Sequence, residues 1–360
     1  MKNAFENDEE DEEDSLSSSG GWQTEEEDEH EGQHESALDV NALEPPTAPL
    51  TENQKVNQKV LQDALTAPLT AEQDEAVNAA LANGSATEVL ASGSSHFADI
   101  TLKRMDVATM APGQWLNDEM VNFTLGAMVA REARRVGVGA DGSTPVQPRT
   151  HFMSTYFITK MCAEQDNGGR AYNYDEVKNW TTREKLGYDA LLCETIIVPV
   201  NQGNFHWVLA TVEPREKRVR LYDSLLGEDR DLLNRLKRWV EDEYKDKKRQ
   251  VVDTSEWVAE HPKKIPRQKN MCDCGVFMLK YADYIASGCP LTFTREDMAY
   301  FRRRIVADAL EAGKSGKPDE ANAEVTVVTR NSPFPVTAAV GAAAFMKPDE
   351  ANAEVTVVTR

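Results

Sequence analysis

The centre of the chain carries strand patterns. Thr195-Ile-Ile-Val-Pro-Val200 is an apolar run of strand length, and His206-Trp-Val-Leu-Ala-Thr-Val212 follows it. Residues 213–217 read as a polar turn, after which Arg218-Val-Arg-Leu-Tyr-Asp223 alternates cleanly. Helical spacing flanks these strands. Thr70-Ala-Glu-Gln73 has the form of a capping box, with Ala76, Val77, Ala80 and Leu81 behind it. Asn117-Asp-Glu opens an amphipathic run through Val121, Leu125, Met128 and Val129 to Arg135. Residues 231–244 set Leu232, Leu236, Trp239 and Val240 on one helical face. Residues 276–285 and 301–310 read as two further helices. Gly and Pro break the chain up to Pro148, Thr155–Ile158 reads as a short strand or helix edge, and 164–179 as a loop. Together these elements predict an α+β fold, with a central, mainly antiparallel sheet and packed helices.

Charge divides the chain. The whole sequence of 360 residues has a net charge of −21, yet residues 1–65 hold 19 Asp/Glu against 3 Lys/Arg. The rest is nearly balanced. The reading is therefore a disordered acidic tail over 1–65, one domain over 66–310, and a flexible tail over 311–360. Thr47-Ala-Pro-Leu-Thr51 recurs at Thr66–Thr70 where the domain is expected to start. The C-terminal tail duplicates the 14-mer 317–330 at 347–360. In the acidic tail, Ser15 and Thr24 lie among acids that suit an acid-directed kinase, although a solvating tail is the simpler reading. Acidity excludes a bulk electrostatic grip on nucleic acid. There is no apolar run of about 18 residues to span a membrane, and no apolar core of a signal peptide follows Met1. Five cysteines without a Cys-x-x-Cys pair suit a reducing compartment and offer no structural zinc site, and no metal or cofactor is expected.

The chemistry concentrates where two strands and a helix begin or end. A turn centred near residue 215 places His206 beside Asp223 or Ser224 on the neighbouring strand, where cross-strand Cβ atoms lie about 5 Å apart. A slip of one residue would separate their faces. Singly, His206 reads as a half-buried strand histidine and Asp223 as a turn residue. Together they form the base-and-orienter half of a triad. Downstream, the polar stretch 266–275 runs into an apolar helix, with Asp273 expected to cap it and Cys274 in its first turn. The positive end of a helix dipole and a nearby imidazolium lower a thiol pKa from about 8.5 to roughly 3.5–7.5. Cys272 precedes the cap and is the rival, while Cys162, Cys193 and Cys289 read as structural. Gln268 and the Cys274 amide are candidate oxyanion donors.

In this order the residues resemble the ubiquitin-like-protein protease family, most closely its sentrin/SUMO-specific branch. The similarity is carried by Trp115–Phe123, Phe205–Ala210, Leu221–Ser224, Gln268–Phe277, Lys280–Ile285 and Asp297–Arg304. It implies a papain-like cysteine protease fold with His206 as general base, Asp223 as its orienter, Cys274 as nucleophile and Gln268 as oxyanion donor. It also implies substrate contacts at Trp115 and Trp207, which would line a tunnel narrow enough for Gly-Gly alone, and at Asp118. Ordinary core packing of the tryptophans and helix capping by Asp118 are the plainer readings of those three. The expected reaction is hydrolysis after the Gly-Gly of a SUMO-type modifier, at a peptide or an isopeptide bond, by a monomeric enzyme that the resemblance places in the nucleus, with the cytoplasm as a second location. A protease for another ubiquitin-like modifier, an acyltransferase on the same fold and a silent binding module are the alternatives. Met271 and Cys272 replace the small residues usual in the nucleophile loop. The segments 162–182 and 201–205 look longer than is typical of the family. Val325–Val328 and Val355–Val358 in the duplicated 14-mer resemble SUMO-interacting motifs, although a β-prone low-complexity tail accounts for them more simply.

Overall fold

A computed structural model describes residues 52–95, 99–136, 147–164, 170–315, 324–327 and 336–339. The acidic runs with Ser15 and Thr24, the first Thr-Ala-Pro-Leu-Thr copy and the second 14-mer lie outside the described residues. In chain order come α1 (Glu52–Thr66), α2 (Ala71–Leu81), the hairpin β1 (Val89–Ser94) and β2 (Asp99–Lys103), short α3 (Arg104–Val107) and long α4 (Asp118–Val136). Next are β3 (Thr150–Phe152), α5 (Tyr156–Met161), the small hairpin β4 (Cys162–Glu164) and β5 (Arg170–Tyr172), and α6 (Arg183–Leu186). Three long strands follow: β6 (Thr195–Gln202), β7 (His206–Glu213) and β8 (Arg218–Tyr222). Then come α7 (Arg230–Glu243), β9 (Val258–Glu260), α8 (Cys274–Ala286) and α9 (Met298–Ser315), and last the paired β10 (Glu324–Val327) and β11 (Val336–Ala339).

The central sheet has the order β3-β6-β7-β8-β9. The long ladders β6–β7 and β7–β8 are antiparallel as expected, whereas the three-residue edge strands β3 and β9 join in parallel and make the sheet mixed. Both faces of the sheet are covered at its centre, so β6 and β7 are buried on both sides. Ile197, Trp207, Leu209 and Tyr222 face a core built with α2, α4, α8 and α9. Ile196, Val198, Val208, Ala210, Val212 and Leu221 face a second core with α5 and α7, whose Leu233, Leu236, Trp239 and Val240 are fully buried. The capping box forms at α2: Gln73 N–H donates to Thr70 Oγ1 at 3.1 Å, and Thr70 N–H to Gln73 Oε1 at 3.0 Å.

Four expectations are refined. The packed body begins before Thr66, because α1 turns Leu65 into the core, with Leu61 packed against it; the acidic, polar sequence leading into this helix hides it from the charge-based boundary. It also ends later, as α9 runs to Ser315. Thr155–Ile158 settles as helix α5, and the expected loop 164–179 holds β5 and two single-turn 3₁₀ segments.

That segment docks on α7 through a buried carboxyl. Thr181 Oγ1 donates to Glu243 Oε2 at 2.7 Å and Tyr174 OH to Glu243 Oε1 at 3.0 Å. Burial pushes the Glu243 carboxyl up to about 7, against these hydrogen bonds and the Lys247 charge, which pull it down. A carboxyl raised in the fold stabilises fully below its unfolded pKa, and that contribution is lost as pH rises through about 7. Thermal melts of Glu243→Gln should therefore lose part of the wild-type decline between mildly acidic and mildly alkaline pH. Parallel pH curves for the two proteins would contradict this coupling.

Candidate active site

Because β7 and β8 run antiparallel, the first residue of β7 and the residue after β8 reach the same edge of the sheet. The N-terminus of α8 arrives there too. In the β7–β8 ladder Leu209 faces Tyr222, so continuing it would put His206 opposite Leu225 and Asp223 at the diagonal position on the same face. The register is one residue off the sequence expectation, and the pair survives because the diagonal keeps the face. His206 Nε2 meets Asp223 Oδ1 at 2.8 Å. Asp223 is 5% exposed, and its carboxylate also accepts the N–H of Leu225 at 2.8 Å and of Gly227 at 3.0 Å. Nε2 is thus taken, and Nδ1 is the nitrogen left to hydrogen-bond the buried thiol of Cys274. The β6–β7 turn before His206 is tight, with Gly203 and Asn204 both at positive φ.

Electrostatics favour an ion pair. The hydrogen bond to Asp223, then that to Cys274, raises His206 to about 9 despite burial. Burial opposes the Cys274 thiolate, but His206 and the N–H groups of Trp207 and Gly275 outweigh it, and the thiol lies below its ordinary value. Asp223 is likewise lowered, since His206 and the two backbone N–H donors outweigh burial. Cys272, the rival, shifts the other way: burial and the adjacent Asp273 raise it.

The nucleophile loop is held at several points. Ser224 Oγ donates to Gln268 Oε1 at 2.7 Å, and Gln268 N–H returns a bond to Ser224 O at 3.1 Å. Gln268 Nε2 gives one hydrogen to Asn270 O at 2.7 Å, leaving the other for a ligand. Asp273 takes the N-cap position of α8, yet its side chain makes no capping bond. It turns instead to Arg302, which explains why the expected cap does not form.

The two tryptophans differ. Trp207 is buried, with Nε1 donating to Leu116 O at 3.0 Å, while Trp115 beside that residue is 50% exposed. A Cβ on Gly275 would come within 3.0–3.2 Å of Leu116 and Trp207, so glycine lets the helix start approach that wall. Asp118 opens α4 half-buried, but the helix is capped by Asn117, whose Oδ1 accepts the Met120 N–H at 3.1 Å. No described residue hydrogen-bonds the Asp118 carboxylate. The sequence offers Ser224 only as a possible neighbour of His206 and does not single out Arg302; their places inside the matched stretches at 221–224 and 297–304 are the signal for them. Among the described residues no three His, Cys, Asp or Glu converge as metal ligands would, and no helix is long and apolar enough to cross a membrane.

A thiol at a helix start, beside an acid-bound imidazole on a mixed sheet, defines a cysteine-peptidase type of centre. The chain belongs to the Ulp1 protease family: residues 114–316 match its C-terminal catalytic domain. It is 36% identical over 243 residues to the ubiquitin-like-specific protease ESD4 of Arabidopsis thaliana, covering 68% of this chain and 46% of that protein. It is 31% identical over 244 residues to sentrin-specific protease 2 of Homo sapiens, covering 67% of this chain and 37% of the relative. The chain thus spans less than half the length of these two curated relatives. A solved structure of the SUMO protease Ulp1, with its catalytic cysteine oxidized to a sulfinic acid, superposes with a TM-score of 0.53 at 25% identity, covering 69% of this chain and 98% of that one. The Chaetomium thermophilum Ulp1-like SUMO protease catalytic domain gives 0.52 at 26% identity, covering 68% and 91%.

Alkylation by iodoacetamide reads the thiolate directly. Wild-type Cys274 should react at a rate that stays level through neutral pH. Asp223→Asn removes the largest influence raising His206, so the imidazolium is lost at lower pH and the profile should retreat toward a free thiol near ~8.5. An unchanged profile would remove Asp223 from this role.

Proposed function

We propose that the domain is a cysteine protease that cleaves after the C-terminal Gly-Gly of a SUMO-type modifier, at a precursor peptide bond or a lysine isopeptide bond. The observation that carries it is the hydrogen-bonded chain from Asp223 through His206 to a Cys274 thiol held below its ordinary pKa. The family match and the likeness to SUMO proteases support the modifier class.

The Cys274 thiolate attacks the glycine carbonyl, forming the C–S bond. The second hydrogen of Gln268 Nε2 and the Cys274 N–H stabilise the oxyanion. The imidazolium of His206 gives its proton to the leaving amine as the C–N bond breaks. His206 then takes a proton from water, which attacks the thioester and releases the modifier's carboxylate and the thiol. Asp223 keeps Nε2 occupied and so aims Nδ1 at the sulfur throughout. The wall of Trp207 and Leu116 packed against Gly275, with exposed Trp115 above, suits a substrate tail without side chains. The unbonded Asp118 carboxylate suits a basic residue of the modifier. The family resemblance supports a nuclear site of action by a monomer, which imaging and sizing of the full chain would check.

SUMO and ubiquitin carrying a C-terminal Gly-Gly electrophile provide the test. A covalent adduct with SUMO, absent in Cys274→Ala, is expected. An adduct with ubiquitin instead would keep the mechanism and change the modifier, and none with either would contradict the proposal. Gln268→Ala should lower kcat by about 10²–10³ with little change in KM.

A further inference from the structure

Arg302 lies outside every role assigned above, yet it is among the most committed side chains in the molecule. It sits on α9 with a side chain 4% exposed. Its Nε and Nη2 donate to Asp273 Oδ1 at 3.0 and 2.8 Å. Nη2 also donates to Cys272 O at 2.9 Å and to Gln114 O at 3.0 Å. Nη1 reaches Thr109 O and Ala111 O, both at 3.2 Å. One guanidinium therefore joins the residues just before Cys274 to the segment that ends at Trp115.

The consequence for α8 follows from the donors at a helix start. The first N–H groups of a helix have no partner within it, and an Asp at the N-cap normally takes one. Here the Asp273 carboxylate is turned to Arg302 and to Asn270 Nδ2 at 2.7 Å, and the Gly275 N–H of the helix start is among the influences that hold the Cys274 thiol down. A carboxylate capping α8 would compete with the sulfur for these donors and add a negative charge beside the thiolate.

We propose that Arg302 is a positioning residue of the active site, which withholds the Asp273 carboxylate from the N-terminus of α8 so that its amides serve Cys274, and ties the Trp115 segment to the nucleophile loop. This rests on the proposed role of Cys274. A lysine keeps the charge but has neither the fork nor the reach to five acceptors at once.

The test uses the full chain and iodoacetamide, which needs no modifier, so a wrong modifier class would leave its result intact. Arg302→Lys should move the pH profile of Cys274 alkylation upward, and kcat on a SUMO-derived fluorogenic amide should fall by about 10²-fold, as for a misplaced reacting group. Adding Asp273→Ala should bring the profile back down, because no carboxylate then remains to cap α8. Asp273→Ala alone should leave the profile at or below the wild-type position, and this arm stands even if Arg302→Lys fails to fold. A purely structural Arg302 would lower the melting temperature and the amount of active protein without moving the profile. An unmoved profile in folded Arg302→Lys, or an upward shift in Asp273→Ala alone, would overturn the proposal.

Discussion

His206 stands between two partners, Asp223 bound at Nε2 and the Cys274 thiol for which Nδ1 is left, and much of the surrounding architecture holds that ring in place. An imidazole free to rotate would serve neither neighbour. The β6–β7 ladder, in which His206 pairs with Gln202, fixes the backbone of His206, and the turn after β8 presents Leu225 and Gly227 amides that lock the Asp223 carboxylate. The α8 helix brings the sulfur. Each of these elements is anchored on a sheet buried on both faces, and such a scaffold limits the displacement a reacting group suffers.

Charge is arranged around the thiol with a consistent sign. Backbone N–H groups and an imidazolium surround the Cys274 sulfur, while the nearest carboxylate on its own loop, that of Asp273, is neutralised by Arg302. Cys272 stands two residues away in the same loop and has the opposite environment, next to Asp273 and raised. Two residues of backbone separate these two environments. That separation decides which sulfur faces the helix amides and which faces the carboxylate.

Much of this was legible in the sequence, for identifiable reasons. The three long strands and α2, α4, α7, α8 and α9 carry repeated apolar positions, so periodicity finds them. His206, Asp223 and Cys274 mark the ends of such elements, where a polar residue in an apolar context is conspicuous. The three-residue strands β3 and β9 hold too few positions to show a period, and α1 is absorbed into the acidic tail when the boundary is drawn on charge. The one-residue register difference was beyond reach because a turn of positive-φ Lys217 has no unique length in sequence. The withheld Asp273 cap could not be read either: an Asp before a helix normally predicts capping, and only the fold brings Arg302 across to reverse it. Residues 324–327 of the first 14-mer form β10, which pairs with β11.

The preformed ion pair is the central claim, and thiolate ultraviolet absorbance measured against pH is its most direct test. The difference between the wild type and Cys274→Ser should show thiolate already present at neutral pH and below, titrating together with His206 as one coupled pair. A difference signal that appears only in the range of an ordinary thiol, near ~8.5, would contradict it.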